Sequence, residues 1–358
     1  MNNKNICIDC RMIDSSGVGI YLNGCLPYFI KSGNNIFLLG ISEKLKSFLI
    51  NTNVTIINCN IKIFSIIELF FFPKYLLRQI NNSDIFFSPY FNIISGIKIP
   101  VYITIHDIIF PDMPDITTKF GLAIRMFFFK RAYKKAKKIF TVSEFSKSRI
   151  MFHLRTTKPI IVTYSAIHSM FIEYRKNNSN FQKTNSIIFI GNIKKHKGLN
   201  ILLDAFFNAK NEGLSYKLLI IGSKENLRTI DDSILKKIDL LDNDSIQFTG
   251  FITNEQLMEY ISTASLLIQP SLYEGFCLPP LEALVLGTPV LISDIHVLKE
   301  IYVDFPVTYF KAGDILDLKT KMLELLQKNI SPPVLSDYQL SKYTFEKTSS
   351  IILKELTA

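Results

Sequence analysis

"SLLIQPSLYEGFCLPPLEALVLGTPVLISD", residues 265–294, reads as strand, loop, helix and strand in one run. Pro279 and Pro280 cannot lie inside a helix, but proline suits its first position, where the missing N–H costs nothing. A helix is therefore predicted from Leu278–Pro280 through "LEALVLG", ending at Gly287. Strand, helix and strand in this order build a parallel sheet covered on both faces. Two carboxylates, Glu274 and Glu282, interrupt the apolar run. Glu282 falls in the first helical turn, where the positive end of the dipole favours an anion. Glu274 lies on the entering loop, and Gly275 beside it lets backbone approach a ligand closely. Carboxylates accept hydrogen bonds from hydroxyls, and N–H groups at a helix start bind phosphate. A nucleotide sugar carries both. Each acid alone has a plainer reading, as a dipole partner or a solvated loop residue.

The same alternation runs outward through the chain. In the first half "NICIDC", "NIFLLG", "SDIFFSP", "VYITIHD" and "KKIFTVS" read as strands, with "SGVGIYLNGCLPYFIKSG" as glycine loop, helix and stop. The pattern restarts with "NSIIFIGN", helix "GLNILLDAFFNAK", "YKLLIIGS", a helix around "TIDDSILKKIDLL", "SIQFTG" and helix "NEQLMEYISTA". The polar, Asn-rich segment 173–185 separates the halves. The expected domains are 1–172, a linker at 173–185, 186–340, and a C-terminal helix at 341–358 that packs back on the first domain. Ligands in such sheets bind at the carboxyl ends of the strands.

Of 358 residues, 48% are apolar and 20% charged, the composition of a folded chain rather than a disordered one. The formal charge is +10. Residues 1–180 hold 23 basic and 10 acidic side chains, against 18 and 21 in the remainder. Five scattered cysteines make no disulfide framework, and reduced thiols point to the cytosol. "CIDC" at 7–10 reads as strand, which sends residues three apart to opposite faces. The polar start is unlike a signal peptide, and no apolar run is long enough for a membrane span. "DND" at 242–244 imitates a metal-binding D-x-D, but acidic turn residues are ordinary before a strand, and the histidines share no ligand spacing. No metal is expected.

"SLYEGFCLPPLEALVLGTPVLISD" resembles the E-x7-E signature of family 4 retaining glycosyltransferases. "GNIKKHKGLNILLDAF" resembles that family's phosphate segment, and "TIHDIIFPD" and "TVSEFSKSRI" its N-terminal landmarks. "IDCRMIDSSGVGIYLNGCLPYF" resembles the opening strand and loop, especially of bacterial mannosyl- and rhamnosyltransferases of surface polysaccharide. The resemblance implies an α/β fold of GT-B type, two doubly wound Rossmann-like domains facing across a cleft. It implies that Glu274 binds donor-sugar hydroxyls, Glu282 the ribose, and Lys197 the diphosphate. Backbone N–H groups of Phe276, Cys277 and Leu278 are expected at the distal phosphate, with Gly275 letting the backbone approach the donor, and Ile252 at the base. Gly17 and Gly19 are expected to let the first loop approach the diphosphate, and His106 to face the sugar. Asn192 stands where many members carry Arg, and Cys277 where Gly is usual, so its side chain should point away from the phosphate.

From Lys119 to Lys138 there are eight basic residues and no acid, interleaved with five aromatic ones. Arg125, Lys130, Arg131, Lys134 and Lys135 are candidates for an anionic membrane surface or an acceptor; the plainer reading is a core helix with a solvated basic face. The apolar stretch 63–77 is a second candidate contact. No nucleic-acid motif accompanies the charge. The expected function is retaining, metal- and cofactor-free transfer of a hexose from a nucleotide-diphosphate sugar to a lipid-linked glycan, peripherally at the inner face of the cytoplasmic membrane. A sugar-nucleotide epimerase and a non-catalytic glycan- or lipid-binding protein are the rivals.

Overall fold

The computed structural model describes residues 3–178, 181–222, 245–328 and 331–358. The chain divides into two compact units, Met1–Ala166 with Tyr343–Ala358, and Ile167–Lys342. The boundary differs from the expected linker at 173–185. Helix Ser169–Asn177 occupies its first part, and a strand begins at Thr184. Asn-rich, polar composition marks the solvent side of these elements rather than an absence of structure. The helix buries Phe171 on its inner side.

The first unit holds seven strands, β1 (Asn5–Asp9), β2 (Asn35–Gly40), β3 (Val54–Asn58), β4 (Ile85–Ser88), β5 (Val101–Thr104), β6 (Lys138–Thr141) and β7 (Ile160–Val162). All pair in parallel, in the order β3-β2-β1-β4-β5-β6-β7. β4 and β5 are buried throughout, as both-face helix cover requires. The edge strand β3 carries a mixed burial pattern and β7 spans only three residues, so no strand pattern announces them in the sequence. Helix Phe345–Thr357 belongs to this unit and packs on helix Ser16–Lys31. Its buried Thr348 hydroxyl donates to the Thr163 carbonyl.

The second unit holds β8 (Thr184–Ile190), β9 (Lys217–Ile221), β10 (Ile246–Phe248), β11 (Ala264–Gln269), β12 (Val290–Ser293) and β13 (Thr308–Phe310), in the order β10-β9-β8-β11-β12-β13, again all parallel. β13 is a further short edge strand that the sequence reading misses. The expected helix around "TIDDSILKKIDLL" and the "DND" turn lie outside the described residues. Both sheets reverse their strand order beside the first strand, between β1 and β4 and between β8 and β11. Such a reversal opens a crevice at the carboxyl ends of the two central strands, because their following loops turn to opposite faces.

Candidate active site

Lys197 and Glu274 meet at the β8/β11 reversal, 77 positions apart in the chain. The Lys197 Nζ donates to both carboxylate oxygens, at 2.7 and 2.8 Å. Three features bring the two loops together. The Leu272 amide donates to the His196 carbonyl at 2.7 Å. Gly198 opens helix Leu199–Asn211 with φ +69, and a Cβ there would overlap the Pro270 carbonyl oxygen. Only glycine satisfies both conditions. The buried Ser271 hydroxyl donates to Glu274 Oε1 at 2.7 Å and is reached in turn by the Gln269 amide at 3.1 Å. Burial alone would raise the Glu274 carboxyl, but the Lys197 ammonium and the Ser271 hydroxyl more than offset it, so it lies below its ordinary range. Burial and the neighbouring Lys197 charge push His196 down to about 4, which keeps it neutral beside the pair.

The predicted helix forms over Pro279–Val285, and the chain turns at Gly287 with φ +79. Glu282 lies in its first turn and is as buried as Glu274. Here burial is the only cause of a shift, and it raises the carboxyl to about 7. Gly275, Phe276 and Cys277 are buried between the two acids, and Leu278 is half-buried. Cys277 has φ 76, a left-handed conformation that favours glycine and costs an L residue about 1–2 kcal/mol. The Tyr302 hydroxyl holds this turn by donating to the Cys277 carbonyl, while accepting from the Leu281 amide at 3.1 Å. The Cys277 thiol is buried and pushed up by desolvation, so it is not a nucleophile at neutral pH.

Asn192 is exposed on the loop after β8, and its carbonyl accepts from the Lys194 amide at 2.9 Å. Ile252 is half-buried on the loop after β10, next to an outward Phe251.

In the first unit Gly17 and Gly19 fall within the first turn of helix Ser16–Lys31, not on the loop expected before it. Gly17 is exposed, whereas a Cβ on Gly19 would overlap the Ile13 carbonyl oxygen. The absent side chain lets the helix fold back on its entering loop. Tyr21, one turn on, meets the His106 ring edge-on at 4.9 Å between centroids. The His106 Nε2 lies 2.8 Å from the Pro89 carbonyl oxygen. A carbonyl only accepts, so Nε2 carries the proton and Nδ1 is the acceptor nitrogen. Burial pushes this imidazole down to about 4.

The five basic candidates separate into two groups. Lys130, Lys134 and Lys135 are exposed. Arg125 instead donates to the Thr117 hydroxyl and the Gly121 carbonyl at 3.1 Å and stacks on Phe110 at 4.1 Å. Arg131 donates to the Ile93 carbonyl and the Ser95 hydroxyl. A guanidinium carries five donors in a plane, so it serves as a strut where a lysine would remain solvated.

Sequence reasoning missed Ser271, Gly198 and Arg11. A glycine directly before an apolar helical run was the available signal for Gly198. Arg11 is buried between Asp9 and Glu68, at 2.5 and 2.7 Å. Among the described residues, no group of three or more His, Cys, Asp or Glu side chains is placed to hold a metal ion. No helix among them is long and apolar enough to cross a membrane.

Residues 170–341 match the family described as glycosyl transferases group 1. An O-antigen chain mannosyltransferase, RfbU, of Salmonella typhimurium is 29% identical over 205 residues, 56% of this chain and 53% of that one. A serotype-specific mannosyltransferase, WbdA, of Escherichia coli is 34% identical over 113 residues, 32% of this chain and 13% of its own. The chain thus spans about half the length, or less, of these curated relatives. Among solved structures, Anabaena HepE in complex with UDP-glucose aligns over 99% of this chain and 100% of its own, with TM-score 0.72 and 14% identity. A glycosyltransferase from Rickettsia africae aligns over 99% and 95%, with TM-score 0.65 and 14% identity. The pair of reversed parallel sheets is the GT-B fold, and residues 170–341, just under half of the chain, match the glycosyl transferases group 1 family.

Proposed function

We propose that this protein is a glycosyltransferase that moves a hexose, mannose in the first instance, from a nucleotide-diphosphate sugar to a lipid-linked glycan acceptor. Transfer proceeds with retention, without a metal ion or cofactor, at the inner face of the cytoplasmic membrane. The observation that carries the reading is the Lys197–Glu274 pair at the β8/β11 reversal, inside the family-matched segment. The printed names of the Salmonella and Escherichia coli relatives support mannose and surface polysaccharide.

The chemistry follows from what each group can do. Lys197 offers a cation for diphosphate charge that grows as the glycosidic bond breaks. Glu274 stays ionised and accepts from sugar hydroxyls, which grip it more tightly as the sugar becomes cation-like. Glu282 accepts from the ribose. His106 supplies a neutral acceptor at the sugar. The leaving phosphate takes the acceptor proton on the same face, which gives retention without a covalent enzyme intermediate.

The test is thermal stabilisation by GDP, UDP and dTDP, followed by transfer from the matching sugar nucleotide with and without EDTA. One diphosphate should raise the melting temperature, since a ligand that binds only the folded state stabilises it. Turnover should survive EDTA. No stabilisation by any of the three would overturn the donor assignment, and loss of turnover restored by manganese would overturn the metal-free route.

A further inference from the structure

Helix Ile66–Phe70 and the residues after it present an unusual outer face. Ile66, Ile67, Phe70, Phe71 and Tyr75 are all exposed, Phe70 and Phe71 by 72% and 71%. Their ring centroids lie 6.4 Å apart, with the planes tilted by 60°. The single acid of the segment, Glu68, is turned inward. It accepts from Arg11, from Asn92 Nδ2 at 2.6 Å and from the Phe64 amide at 2.6 Å. Lys62, Lys74 and Arg78 are exposed around the apolar face. The outer surface of 62–78 is therefore apolar and cationic, with its only carboxylate removed.

A second stripe adjoins it. In helix Lys119–Lys135, Phe120, Ile124 and Phe127 recur at i, i+4 and i+7, and all three are exposed, with Lys119, Lys130 and Lys134 beside them. The two elements are joined by Phe64 against Phe128 at 4.7 Å. They also share Ser95, whose amide donates to the Glu68 carbonyl and whose hydroxyl accepts from Arg131. Large apolar side chains rimmed by one sign of charge mark an interaction surface. A protein partner of ordinary polarity would call for mixed charge at the rim. An anionic lipid surface matches the lysines and arginines of 62–78 and 119–135, which carry no exposed acid, and aromatic rings suit its interface.

We propose that segment 66–75, with the stripe of Phe120, Ile124 and Phe127, seats the first unit on an anionic bilayer, Phe70 and Phe71 immersed below the headgroups. Arg11 is the positioning residue: by holding Glu68 inside, it keeps a carboxylate out of the lipid-facing surface. This assignment deepens the membrane part of the proposed function and rests on it.

The chain contains no tryptophan, so Phe71→Trp creates a single reporter. With phosphatidylglycerol-containing vesicles its emission should move to the blue and be quenched by brominated lipid. Pure phosphatidylcholine should have little effect. Leu316→Trp, exposed in the second unit, is the control that should not respond. Phe70→Ser with Phe71→Ser should lower vesicle partition by at least about tenfold, since each ring contributes on the order of tenfold when buried. Transfer to a short soluble acceptor should remain, while transfer to a lipid-linked one falls. Unchanged Phe71→Trp emission would overturn the proposal. So would lipid-free self-association that the serine variant abolishes, since the face would then be a contact between copies. Vesicle insertion by a wild type that transfers no sugar would sustain the lipid surface and reject the proposed function.

Discussion

Each sheet places a cation against carboxylate where its strand order reverses, and the two clusters are built differently. In the first unit Arg11 bonds Asp9 through two nitrogens and Glu68 through one, and its side chain is 3% exposed. Burial alone would lower its guanidinium, but Asp9 and then Glu68 hold it raised. In the second unit Lys197 bonds the Glu274 carboxylate among the described residues, and its side chain keeps 22% exposure. A planar fork with every nitrogen committed is a permanent joint, whereas an ammonium at a solvent edge can exchange partners with an incoming phosphate. The same charge pairing thus serves architecture in one unit and, by the proposed function, substrate in the other.

The sharpest way to break this comparison is to remove each cation. Arg11→Met leaves Asp9 and Glu68 buried without their cation, and uncompensated buried charge costs about 3–5 kcal/mol. Urea unfolding should show a loss of that size, with turnover per folded molecule on a soluble acceptor nearly kept. Lys197→Met also strands a buried carboxylate, Glu274, and should lose stability too, but its turnover per folded molecule should fall steeply where that of Arg11→Met does not. If the two variants behave alike, the distinction fails.

Next in size is Glu274→Gln, which keeps the shape and loses the charge. Turnover should fall about 100-fold, or about 2.7 kcal/mol of transition-state stabilisation, with nucleotide-diphosphate affinity held. Wild-type turnover in this variant would remove Glu274 from the chemistry.

Glu282 sharpens the comparison from the other side, as an equally buried acid whose shift comes from burial. Its folded value of about 7 lies above the ordinary 4.5, so the folded state holds the proton more tightly. Stability should therefore fall as pH rises from about 4.5 to about 7, by about 3 kcal/mol from this group, and flatten above. Melting curves across that window should lose this component in Glu282→Gln. Nucleotide-diphosphate affinity should rise over the same window, because ribose hydroxyls favour the carboxylate. An unchanged slope in the variant would assign the titration elsewhere.

The smallest effect concerns Cys277. Replacing it by glycine relieves the left-handed strain at φ 76 but loosens the unfolded chain, leaving a net gain of about 0.5–1 kcal/mol. Destabilisation by Cys277→Gly would mean that thiol packing outweighs the strain.

What the sequence determined by itself is local. The start of helix Pro279–Val285, its end before Gly287 and the alternation of apolar strands with helices are all written within a few residues, because proline, glycine and side-chain period act over one turn or one pleat. The acids Glu274 and Glu282 were legible for the same reason, as charges inside an apolar run. The edge strands β3, β7 and β13 were not, since a short half-covered strand carries no long apolar run. Tertiary structure alone decided partners. Lys197 reaches Glu274 only because β8 and β11 are neighbours, and Ser271 and Gly198 matter only through that neighbourhood. It likewise turned Arg125 and Arg131 inward and Phe70 and Phe71 outward, against the plain expectation from charge and hydropathy. A side chain's direction is fixed by the sum of its packing and hydrogen bonds across distant segments. No window of sequence holds that sum.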